Sequence, residues 1–167
     1  MDFNIRNRVL FFVWGFALAT GWTVSYYLHE MMSSMSLTVF WTVLMSMPVI
    51  VSVKWMTQHD SSSLPAPWIL TAAIGVGFSF AVIEGYVMIP ELQNYAVFWF
   101  FLPAMAFAAT TYYFDGVISQ MYTGVALINF IVAGSLLFNT EIMQQHYAIA
   151  GVTQALPMLY HAYIYEA

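Results

Sequence analysis

From Val9 to Leu28 the chain carries no charged residue, and five more long apolar runs follow it with only brief polar interruptions. A run of roughly 20 apolar residues is what an α-helix needs to cross the hydrocarbon core of a bilayer. Within that core the backbone must satisfy its own hydrogen bonds, which leaves helices or closed barrels. Runs of this length without period-2 alternation specify helices. The 167 residues are 62% hydrophobic and 7% charged, against about 25% charged for an ordinary soluble domain. With a mean hydropathy of +0.76, the apolar surface exceeds what a soluble fold of this size can cover.

The expected fold is therefore an all-α integral membrane protein, a bundle of six transmembrane helices forming one domain over residues 1–167. The spans are predicted at about 9–28, 37–56, 67–89, 95–114, 118–138 and 142–163. Polar and turn residues mark their ends: His29-Glu30 after the first, the stretch from Thr57 to Ser63 after the second, Pro90-Glu91 after the third, Asp115-Gly116 between the fourth and fifth, and Asn139-Thr140-Glu141 before the sixth. Pro67 suits the first turn of the third helix, and Pro48 predicts a kink in the second.

Three basic residues, Arg6, Arg8 and Lys54, set the expected orientation. Short cytoplasmic loops retain Lys and Arg, so both termini are expected in the cytoplasm. Rings at the helix ends are expected to form two aromatic belts at headgroup level, with Trp55, Trp68, Tyr112, Tyr113, Tyr163 and Tyr165 inside and Tyr26, Tyr27, Tyr86 and Tyr95 outside. The net charge of −5 arises from scattered single residues with no basic run, which excludes nucleic acid as a partner. The expected partners are the lipid bilayer, an apolar ligand or small solute, and further copies or subunits of a membrane complex. There is no cysteine, so disulfides, thiolate metal sites and cysteine nucleophiles are excluded.

Among residues able to carry chemistry, Glu84 comes first, because an acidic side chain within a span is expensive and marks a pathway or a buried pair. Ala73, Gly77 and Ala81 share its helical face and predict that it points into the bundle. On the sixth span His146, Thr153, Gln154, Pro157 and His161 form a polar stripe at helical spacing, and Asn129 occupies the middle of the fifth. These residues read either as a polar path or as hydrogen bonds that hold helices together. Glu84 is accordingly the candidate catalytic residue, and His146, Gln154, His161 and Asn129 are the candidate binding residues.

No metal or other cofactor is expected. His29, Glu30, Glu141 and His146 would supply an outer metal site only if the fold gathered them, and no pair of histidines has the spacing of a local motif. Lys54, the single lysine, lies too near a helix end for a retinal linkage. Val82-Ile83-Glu84-Gly85-Tyr86 resembles the Glu-bearing helix of the sterol-isomerase group of small membrane proteins. The likeness spans five residues, with Phe80 near the place of that group's histidine, and it implies a working carboxylate at Glu84. Two functional readings follow. The first is a small transporter, channel or membrane-complex subunit with a polar path through Glu84 and the sixth helix. The alternative is a membrane-embedded enzyme of isomerase or cyclase type, acting on an apolar lipid or terpenoid with Glu84 as proton donor and acceptor.

Overall fold

A computed structural model describes residues 3–58, 63–88, 92–138 and 145–164. Among these residues every regular element is helical: α1 (Phe3–Leu28), α2 (Ser34–Gln58), α3 (Ala66–Ile83), α4 (Leu92–Thr110), α5 (Gly116–Leu136) and α6 (residues 146–164). A 3-10 turn, Thr111–Tyr113, extends α4. The first five helices are each long and apolar enough to cross a membrane. His59, Glu91, Glu141 and Tyr165, together with the expected start of the sixth span, lie outside the described residues.

Each helix packs against its chain neighbours, and α6 closes on α1, so the six form a ring. Its outward surface is apolar on helix after helix, as Phe12, Val43, Ile50, Leu70, Ile131 and Val152 illustrate. A surface of that kind exceeds the apolar patches that soluble proteins leave in water and is stable only against lipid. The chain is thus a polytopic helical membrane protein.

Tryptophan fills the ring. Trp14, Trp22, Trp41, Trp55 and Trp68 are all buried, which corrects the belt expectation for Trp55 and Trp68. A ring this size buries a large apolar area, and partners inside the protein take up the polar edge. Trp14 Nε1 donates to Ser52 Oγ at 2.8 Å and Trp68 Nε1 to Thr110 Oγ1 at 3.0 Å. Tyr27, Tyr86, Tyr112 and Tyr163 do remain exposed at the helix ends.

The third span is shorter than expected. Gly85 adopts φ +76°, the left-handed conformation that glycine takes without steric cost and that closes helices. Its N–H donates to Val82 O at 3.1 Å, and Val87 N–H donates to Ala81 O at 3.1 Å. The helix stops at Ile83 although apolar residues continue to Met88. The inward face of α3 carries Trp68, Ala72, Gly75 and Ser79, whereas Ala73 and Gly77 are exposed. Gly75 is small because the Trp99 ring lies 2.7 Å from where a Cβ would stand; around Gly77 that space is open.

In α6 the turn Gly151–Ala155 is π-helical. Pro157, two residues beyond it, has no N–H for the carbonyl of Thr153 and cannot continue a regular α ladder. Widening the preceding turn accommodates the missing bond, and π turns of this kind recur at functional sites. Pro48 and Pro103 are likewise contained within α2 and α4.

Candidate functional site

A cavity of about 600 Å³ opens at the end of the ring where α1 and α3 finish and α2, α4 and α6 begin. That volume is in the usual range for small-molecule sites. Five helices supply its wall, with α5 taking no part: Ser25 from α1, Thr38 from α2, Val76 and Ser79 from α3, Tyr95 from α4 and Tyr147 from α6, joined by His29 just past α1. Three tryptophans form its floor. Trp22 meets Trp41 with ring centroids 4.9 Å apart and Trp99 at 6.2 Å, and Trp41 meets Trp99 at 6.1 Å. The first two contacts are edge-on, an arrangement the aromatic quadrupole favours.

Two glycines seat this floor. The Trp99 ring lies against Gly75 of α3, and the Trp41 ring fills the place a Cβ would take at Gly21 of α1. Any larger residue at either position would collide with an indole of the floor.

Two of the indole N–H groups are bonded within the protein. Trp22 Nε1 donates to Gln154 Oε1 at 3.0 Å, and Trp41 Nε1 donates to Ser25 Oγ at 2.9 Å. Gln154 is fully buried in the π turn of α6. Its Nε2 donates to the Trp99 carbonyl at 3.1 Å and to Asn129 Oδ1 at 3.3 Å. Asn129 accepts a second bond from Thr153 Oγ1 at 3.3 Å and donates through Nδ2 to Val125 O at 2.9 Å. One amide on α6 therefore ties α1, α4 and α5 together directly below the floor.

Below that network side chains pack the ring. Phe107 and Tyr122 are fully buried, and Trp14 and Trp68 meet at 5.8 Å. His161 lies at this opposite end, its Nδ1 2.6 Å from Tyr122 Oη and its ring against Phe11 at 4.1 Å and Phe114 at 4.7 Å.

The expected site residues thus separate into three places. Gln154 and Asn129 meet in one network, His146 lines the cavity, and His161 is packed far from both. The polar stripe of α6 does face inward, but its central amide bonds other helices and lines no channel. Glu84 does not point into the bundle. It is the exposed residue capping α3, next to cavity-lining Val82 and Ile83 and itself outside the wall. Its expected inward direction rested on Ala73 and Gly77, which face outward.

His29 and His146 share the cavity. The two contacts of His29 Nδ1, each 3.1 Å, go to the carbonyls of Ser25 and Tyr26, so Nδ1 carries the proton and Nε2 is the acceptor of the neutral ring. Among the described residues no three His, Asp or Glu side chains gather as a metal site.

The tryptophan floor, the centre of the site, escaped the residue-by-residue reading. Its signal was the pairing of glycines with tryptophans at matching depths on neighbouring helices, Gly21 with Trp41 and Gly75 with Trp99. Comparison with protein families, curated proteins and solved structures finds no match for the chain.

Proposed function

We propose that the protein is a transporter that binds a small solute in the aromatic cavity and exposes it alternately to the two sides of the membrane. One observation carries this reading: the cavity lies at one end of the ring, and its floor is hydrogen-bonded to a π turn in a proline-containing helix. Interrupted helices beside such a site are the elements that transporters move during alternating access. A floor of three rings on glycine seats is a barrier that rotations of a few side chains and one helix would open.

The positive-inside tendency supports an orientation in which Arg6, Arg8 and Lys54 mark the cytoplasmic end and the cavity faces outward. The enzyme reading with Glu84 as acid and base has less support, because that carboxylate stands at the exposed end of α3 and not in the cavity wall.

The absence of native cysteine permits a direct test. Thr38 lines the cavity and is 6% exposed; Ser34 lies nearer the mouth. In sealed vesicles, a membrane-impermeant methanethiosulfonate is expected to modify Thr38→Cys when applied to either side, and Ser34→Cys from the cavity side alone. Modification of Thr38→Cys from one side only would overturn the transport reading and leave a receptor, enzyme or structural subunit.

A further inference from the structure

We infer that the cavity selects an organic cation, of the alkylammonium or quaternary ammonium class, over neutral and anionic molecules of the same shape. This deepens the transport reading by naming a substrate class for the same cavity, and the binding test below stands independently of transport.

The wall offers π-electron density, and several of its donors are already engaged. Trp22, Trp41 and Trp99 meet at the floor, and Tyr95 and Tyr147 stand above them. The N–H groups of Trp22 and Trp41 are already donated to Gln154 and Ser25, so those indoles present ring and not N–H to a ligand. Two hydroxyls of the wall are engaged as well: Ser79 donates to Gly75 O at 2.8 Å, and its Oγ lies 2.8 Å from Tyr95 Oη. An anion needs converging charged donors, and the described lining includes no Lys or Arg. A cation needs ring faces, indole above all.

Charge is distributed in the same sense. Among the described residues the cavity end carries Glu30 and Glu84, both exposed, and no Lys or Arg. The described basic residues, Arg8 and Lys54, are near the other end of α1 and α2. Seventeen residues separate Arg8 from Ser25 along α1, which is about 25 Å at helical rise and well beyond the Debye length of physiological salt. His29 adds an acceptor, Nε2 in its neutral form, to which an alkylammonium N–H can donate. Acidic groups near an aromatic, low-dielectric opening concentrate cations there.

The test uses purified Thr38→Cys protein in lipid nanodiscs, with protection of the cysteine from modification as the readout. The probes are benzyltrimethylammonium, its neutral carbon isostere neopentylbenzene, and benzenesulfonate. The cation is expected to protect at a concentration at least about tenfold below that needed for the neutral isostere, in line with desolvated cation–π contacts, and benzenesulfonate is expected not to protect. Trp41→Phe should weaken protection by the cation several-fold and leave any protection by the isostere unchanged. Should Trp41→Phe fail to fold, the comparison of the three probes on the Trp41-containing protein decides alone.

Equal protection by cation and isostere would overturn the cation assignment. Failure of all three probes to protect would overturn it as well, and would leave transport intact if Thr38→Cys is modified from both sides of sealed vesicles. Selective protection by the cation combined with one-sided modification would sustain the cation site and remove the transport reading.

Discussion

Gln154 is the residue on which most of the site depends. Its amide holds the Trp22 indole from below, the Trp99 backbone and the Asn129 side chain. In a membrane interior a buried polar group without its partner costs more than the bond itself contributes. Gln154→Leu removes the partner of the Trp22 N–H and of the Trp99 carbonyl, so a loss of about 2–3 kcal/mol is expected, read as a lower midpoint of unfolding in denaturing detergent. Glu84→Gln, exposed at a helix end, should leave that midpoint unchanged. Gly75→Ala meets the Trp99 ring at 2.7 Å and should cost about 1–3 kcal/mol by overpacking. It should also reduce access to Thr38→Cys, because Trp99 lines the cavity and a ring displaced into it narrows the space. Sequence alone made Gln154 and Asn129 visible as polar residues in apolar helices, and their partnership with each other is a matter of depth along antiparallel helices. The outward direction of Glu84 has a physical reason: apolar residues after Gly85 imitate a continuing span, and a single glycine in the left-handed conformation ends it.

For the helices themselves, hydrophobic run length places α2, α4 and α5 within a few residues of their observed limits, since the bilayer dictates that length, whereas α1 begins six residues before the run does. Faces were harder to read. Small-residue spacing pointed to Ala73, Gly77 and Ala81 on α3, whereas the packed face is Trp68, Ala72, Gly75 and Ser79. In this protein glycine makes room for a tryptophan from the next helix and not for a neighbouring backbone, and which glycine does so depends on where the tryptophan lies. The break in α6 follows from Pro157, visible in the sequence, but the π form of the turn does not. Pro157→Ala restores an N–H and permits an α-helical turn, which would rotate Gln154 away from Trp22. Two-sided modification of Thr38→Cys should then fall by about an order of magnitude, a rough expectation for loss of a helix interruption that gates access.

Over the whole molecule, a closed ring of six helices buries six tryptophans wholly or in part, with four of the indole N–H groups bonded to side chains inside and apolar faces left to lipid. The cavity arises because the ring packs tightly in its lower half, around Phe107, Tyr122 and His161, and five helices diverge above the Trp22 floor. No single helix encodes that space, which is why its existence was not legible in any one run. Near the opening the charge is acidic, and cation protection of Thr38→Cys should weaken with added salt as exposed Glu30 and Glu84 are screened. Glu30→Gln with Glu84→Gln should reduce that salt dependence without abolishing protection.

The three indoles at the floor also have an optical consequence. Chromophores 4.9–6.2 Å apart and inclined at 63°, 85° and 27° couple their electronic transitions, and a chiral arrangement of this kind gives a signed near-ultraviolet circular dichroism band whose shape depends on mutual angle. Opening of the floor, or insertion of a guest between its rings, would change those angles. The protein therefore carries an intrinsic, label-free reporter at the point where a solute would pass.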